Sequence, residues 1–145
     1  MISTSLPAVL NAMAKRTSEM EKNALSESDC TSKMDKWPHE WEGFPADVPV
    51  GERLVEEMRP LIYALIQKGL AKKTVRNHMS NLWLIGGEII RDVNDTPRRR
   101  RLSARKLVLD AIAEGEAPLV SGLSETDQCS VDSTARKFLK FLTNS

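Results

Sequence analysis

Aromatic residues are scarce in this 145-residue chain: three Trp, three Phe and a single Tyr. Cysteine is scarcer still. Cys30 and Cys129 stand far apart with no paired spacing, which argues against a disulfide framework and for reduced thiols in a cytoplasmic setting. The only histidines, His39 and His78, share no ligand spacing with them, so neither a zinc site nor any cofactor is expected. No apolar run approaches the roughly 20 residues that span a bilayer, and no membrane contact is expected. The opening MISTSLPAVLNAMAK has no charged leader, and Pro7 and Asn11 interrupt it, so it is not read as a signal peptide. P-loop, GxGxxG, HExxH and GxSxG patterns are absent. Neither histidine stands in a carboxylate-and-nucleophile constellation, so the chain reads as a non-enzyme. Period-two alternation is also missing, which leaves an all-α fold of about five helices in a compact bundle.

What the chain does have is segregated charge. Residues 72–106 carry ten Lys and Arg against three acids, a net of +7 in a chain whose total is +1. The remainder is therefore acidic by 6. A basic island on an acidic chain points to a surface that meets an anion. Within it, Arg98, Arg99, Arg100 and Arg101 are consecutive, with Arg105 and Lys106 just after. Like charges in a block repel, and a polyanion relieves that repulsion.

The pattern of apolar residues divides the chain into an arm, residues 1–35, and a single helical domain, residues 36–145. In the arm, Leu6, Val9, Leu10, Met13, Met20 and Leu25 recur at near-helical intervals, as in a weak helix over 6–25 followed by a polar linker over 26–35. A disordered arm is the alternative. The thin stripe would also permit docking on a second copy, that is, a homodimer. Residues 36–50, KWPHEWEGFPADVPV, read as a loop from three prolines and a glycine. Trp37, Trp41 and Phe44 inside it are expected to fasten the loop to the core rather than to stack bases.

Leu54, Met58, Leu61, Ile62, Leu65 and Ile66 predict a helix over 52–68, kinked or restarted at Pro60 and capped by Gly69. A second helix is expected over 72–93. Its apolar side holds Val75, Met79, Leu82, Gly86, Ile89 and Val93, and its opposite side Lys72, Lys73, Arg76, Asn77 and Ser80. Gly86 and Gly87 predict the close approach of another helix, and Leu84, near the polar side, a contact surface. Thr96-Pro97 open the next helical stretch, which Gly115 stops. Ser124 with Asp127 caps a last helix carrying Val131, Ala135, Phe138, Leu139 and Leu142.

LIYALIQKGLAKKTVRNHMSNL resembles a helix-turn-helix, and KTVRNHMSNL is similar to the recognition helix of LuxR-type response regulators. The longer stretch KGLAKKTVRNHMSNLWLIGGEII resembles the core-binding domain of tyrosine recombinases, with Ala71 where that family has a capping serine. These likenesses cover roughly residues 54–93. The recombinase resemblance implies a helical module that clamps duplex DNA, of the kind bacterial mobile elements encode. Cleavage is not implied, because the only tyrosine, Tyr63, lies inside a core helix. Carried over, Lys72, Lys73, Arg76, Asn77 and Ser80 face the groove or phosphates. Arg76 and Asn77 are able to read base edges, while the lysines position. The expected function is non-catalytic DNA binding by this face together with Arg98–Arg101 and Arg105. The alternative is a protein-interaction module (an inhibitor, antitoxin-like adaptor or accessory subunit) on an acidic or nucleoprotein partner.

Overall fold

The computed structural model describes residues 26–144, and within them the fold is all-α. The helix expected over 6–25 lies outside the described residues. The polar linker expected over 26–35 is instead a helix, α1 (Glu27–Met34), followed by a one-turn helix, α2 (Trp37–Glu40). Ser26 caps α1 by accepting from the Asp29 amide at 3.2 Å, and acids occupy its first turn. Cys30 and Met34, one turn apart, are fully buried. Arg59 pairs with Asp35, and the Thr31 and Tyr63 hydroxyls hydrogen-bond each other. The helical domain therefore reaches back to at least residue 26, not 36.

The long helices α3 (Asp47–Gln67) and α4 (Lys72–Asp95) pack along each other. α3 starts five residues earlier than its apolar stripe predicts and runs unbroken through Pro60. The ring costs ~3 kcal/mol in a helix interior. The buried stripe Leu54, Met58, Leu61, Ile62 and Leu65 flanks it and keeps the helix continuous. At the end of α3, Gly69 takes φ +79°. Its amide donates to the Ile66 carbonyl at 2.9 Å and that of Leu70 to Leu65 at 3.4 Å, the paired bonds of a Schellman turn.

After α4 come a 3₁₀ turn (Pro97–Arg101), α5 (Ala104–Ile112) and α6 (Glu125–Thr143). The stretch that reads as one helix from Thr96 is thus two pieces. Leu102 is extended at the break, and Ser103 caps α5 through the Lys106 amide at 3.1 Å. Ser124 caps α6 through the Asp127 amide at 3.1 Å, as the sequence predicts. Side chains from α3 to α6 close one core, with Met58, Leu82, Ile85, Ile90, Leu107 and Phe138 fully buried.

Trp41 seats the N-terminal elements. A Cβ on Gly86 would lie 2.2 Å from its Cζ2, and one on Gly51 2.9 Å from the Cα of Pro38. The glycine pair therefore accommodates an indole ring, not another helix. The ring is held by a 3.0 Å hydrogen bond from its Nε1 to the Trp83 carbonyl. Phe44 takes no part and is exposed.

The two adjacent glycines should respond in opposite ways. Gly86→Ala drives a methyl into a buried ring, and we expect a loss of about 1–3 kcal/mol in urea unfolding. At Gly87 a Cβ meets Trp41 only at 3.6 Å. Gly87→Ala should be neutral or stabilising by up to ~1 kcal/mol, from helix propensity.

Candidate functional site

Five of the expected contact residues do share one helix end. Lys72, Lys73, Arg76, Asn77 and Ser80 occupy the first three turns of α4. All but the half-buried Lys72 are exposed. None forms an ion pair or side-chain hydrogen bond among the described residues. The helix also starts without help: Ala71 offers no side-chain cap, and no acid stands in the first turn. Cations and free amides therefore concentrate at the positive end of the helix dipole, where an anion is favoured.

The arginine run behaves differently. Arg99 Nε meets Asp92 at 2.7 Å, and its Nη2 meets Asp110 at 3.1 Å. Arg100 Nη2 reaches Asp47 at 3.2 Å and the Asn94 side-chain carbonyl at 2.7 Å. Arg105 donates to the Leu142 carbonyl at 2.9 Å. Within the run of four, only Arg98 and Arg101 are exposed without an ion pair. The reason is local: the run lies just past the C-terminal end of α4, among carboxylates of α3, α4 and α5 that need cations. Arg76 and the run are separated by most of α4, roughly 30 Å at 1.5 Å per residue. The single basic strip expected from the sequence is therefore two separate groups, and half of the second is internal bracing.

Asp47 was not singled out by the sequence and is a charged group with 0% exposure. Burial alone raises a carboxyl pKa. Bonds from the Phe44 and Gly43 amides, Asn94 and Arg100 outweigh that and hold it below the usual carboxylate range. Three other omissions touch the α4 face. Lys33 and Trp83 share a groove with Arg76, and Lys137 acts electrostatically on His78. The polar reading of residues 26–35 hid Lys33. Leu84 was expected to be the apolar contact but packs partly against the core, while Trp83 beside it is 38% exposed.

A polar seam joins α4 to α6. His78 Nδ1 lies 2.7 Å from Thr134 Oγ1, and Asn81 Nδ2 donates to that same hydroxyl at 2.9 Å and to the Ser130 carbonyl at 3.1 Å. Burial, then the Lys137 charge, pushes the His78 pKa down from 6.5.

A cleft of about 760 Å³ lies beside the C-terminal half of α4. Much of its charged lining is already paired, through Arg99 with Asp92 and Asp110 and Arg91 with Glu88. Among the described residues no cluster of His, Cys, Asp and Glu could hold a metal ion, and no helix is long and apolar enough to cross a membrane. No family model, curated protein or solved structure matches this chain.

Two outcomes follow. Within the run, Arg100→Ala leaves the Asp47 carboxylate buried and uncompensated, and we expect about 3 kcal/mol of destabilisation in urea unfolding. Arg98→Ala and Arg101→Ala should stay within about 0.5 kcal/mol. For His78, the unfolded chain takes up the proton first as pH falls, because the folded pKa is the lower one. Its stabilising contribution is complete above pH 6.5 and is lost as pH falls from there toward the folded value. Unfolding measured at pH 7.5 and 5.5 should show this loss, and His78→Gln should flatten it.

Proposed function

We propose that this chain is a non-catalytic DNA-binding module that seats duplex on the N-terminal turns of α4. The observation that carries the reading is the unpaired state of Lys72, Lys73 and Arg76 on an uncapped helix end. Some cations elsewhere are neutralised within the fold, as with Arg59, Arg99 and Arg100. Here it leaves three together where the helix dipole opposes them. A phosphate backbone supplies the missing charge, and helix amides add hydrogen bonds. Lys72 and Lys73 are suited to phosphates, and Arg76, Asn77 and Ser80 to phosphates or base edges. The Schellman turn at Gly69 supports this by projecting α4 directly from α3, in the manner of a helix-turn-helix. Arg98 and Arg101 lie too far along for the same contact and would serve only a longer site. The binding class and an origin in a mobile element rest on the sequence resemblance together with this face.

A protein partner is the second reading, favoured by Leu119, an apolar side chain 85% exposed. Retention of a partner from nuclease-treated lysate, with no duplex binding, would support it.

Duplex affinity should fall linearly with log salt. In Lys73→Ala/Arg76→Ala the slope should shrink by about 2, one for each lost phosphate contact. Lys73→Glu should weaken binding further while raising fold stability by about 0.3–1 kcal/mol, because an acid suits a helix start. Salt-independent or undiminished binding counts against the proposal.

A further inference from the structure

We propose that the groove beside Trp83 receives one unpaired base at the edge of the duplex held by α4. The inference rests on the DNA reading above and names the form of DNA preferred, a duplex with a single-stranded overhang. The groove lies between α1, α2 and α4 and has a volume of about 310 Å³, within the ~300–1,000 Å³ typical of ligand sites. Trp37 and Met79 give it an almost fully buried apolar floor. Trp83 forms a wall that stays 38% exposed.

The Trp83 ring is fixed in place. Its Nε1 donates to Glu40 Oε1 at 3.1 Å, and its backbone carbonyl accepts from the Trp41 ring at 3.0 Å. An aromatic face held at the mouth of a groove offers a stacking platform with little entropy left to lose. Bases inside a duplex have both faces covered by their neighbours. An unpaired base can turn a free face to the ring and follow it into the groove, which a base held in a terminal pair cannot.

The surroundings suit a nucleotide better than an apolar side chain. Arg76 and Ser80 line both this groove and the exposed α4 face, so a strand leaving that face meets the groove next. Lys33 stands on the α1 side, and neither it nor Arg76 is ion-paired. Together they can flank a phosphate. Glu40 keeps one carboxylate oxygen without a partner. That oxygen can accept from the exocyclic amine of cytosine, which thymine lacks.

The test compares a blunt duplex with the same duplex bearing a short dC or dT overhang, by fluorescence anisotropy on the full chain at fixed salt. The dC overhang should bind roughly tenfold tighter than the blunt end, within the range stacking provides, and dT should gain less. Trp83→Ala should remove the advantage and leave blunt-duplex affinity unchanged, and Trp83→Phe should keep part of it. Thermal unfolding of both variants checks that the fold survives. Equal binding of blunt and overhang duplexes by the wild type overturns the inference and leaves duplex binding standing. Failure to bind any of these DNAs overturns both. Loss in Trp83→Ala of a protein otherwise retained from nuclease-treated lysate, with DNA binding unaltered, assigns the groove to a protein and also overturns the inference.

Discussion

Asp47 is a carboxylate with no access to solvent, and the geometry of the helical pair depends on how its charge is met. One oxygen accepts from the amides of Gly43 and Phe44, at 2.9 and 2.8 Å, and so fixes the turn that starts α3. The other meets Arg100, which reaches Asn94 on the last turn of α4 as well. Arg53 then donates to the Arg100 carbonyl at 2.9 Å. A single carboxylate thus ties the start of α3, the end of α4 and the 3₁₀ turn. Burying such a charge costs several kcal/mol unless its lone pairs are filled, and here they are. This tie closes one end of the α3–α4 pair, and the Schellman turn closes the other. The face carrying Lys72, Lys73 and Arg76 is what projects beyond that second closure.

The seating of Trp41 decides what stands beside that face. Because Gly51 leaves room for Pro38, and Gly86 and Gly87 for the Trp41 ring, α2 packs against α3 while Trp41 is set on α4. That draws α1 in behind it, with Cys30 and Met34 in the core and Lys33 outside. Trp37 and Trp41 meet at 5.8 Å between ring centroids, tilted by 48°, a favourable arrangement for two indoles. Lys33, Glu40 and Trp83 come from three different helices. Their proximity to Arg76 is a product of this packing, so the groove and the basic face are parts of one construction.

The parts of this fold legible in the sequence are those that depend on near neighbours. The apolar stripes of α3, α4 and α6 report themselves at helical period, and Gly69, Gly115 and Ser124 act within a few residues of their own positions. The exposed face of α4 was legible for the same reason. α1 was not, because a two-turn helix buries only two groups, too few to establish a period. The partners of the arginines were hidden more deeply. Arg100 and Asp47 are 53 residues apart, and a run of like charges reads the same whether water or carboxylates surround it. The glycine pair announced close approach but not the identity of the visitor. Leu84 and Trp83 differ by one helical step of 100°, and which of them met solvent depended on where α2 lay.

How the chain spends its cations bears on function more directly than their number. Ion pairs at Arg59, Arg99 and Arg100 hold elements together across the fold. They would exist in a protein with no ligand at all, so they say nothing of a partner. Lys72, Lys73 and Arg76 hold nothing together. They repel one another and the helix dipole, and an acidic first turn with a serine cap in place of Ala71 would make a more stable helix start. α1 and α6, which begin with a serine cap and acids in the first turn, show that the chain has that solution available, and α5 uses the serine cap alone. Residues that break a local rule without a compensating contact inside the fold are where an external contact is to be sought. By that criterion the basic island contracts from a 35-residue stretch to the first turns of α4. An anion presented along that face would supply the charge that the helix start lacks.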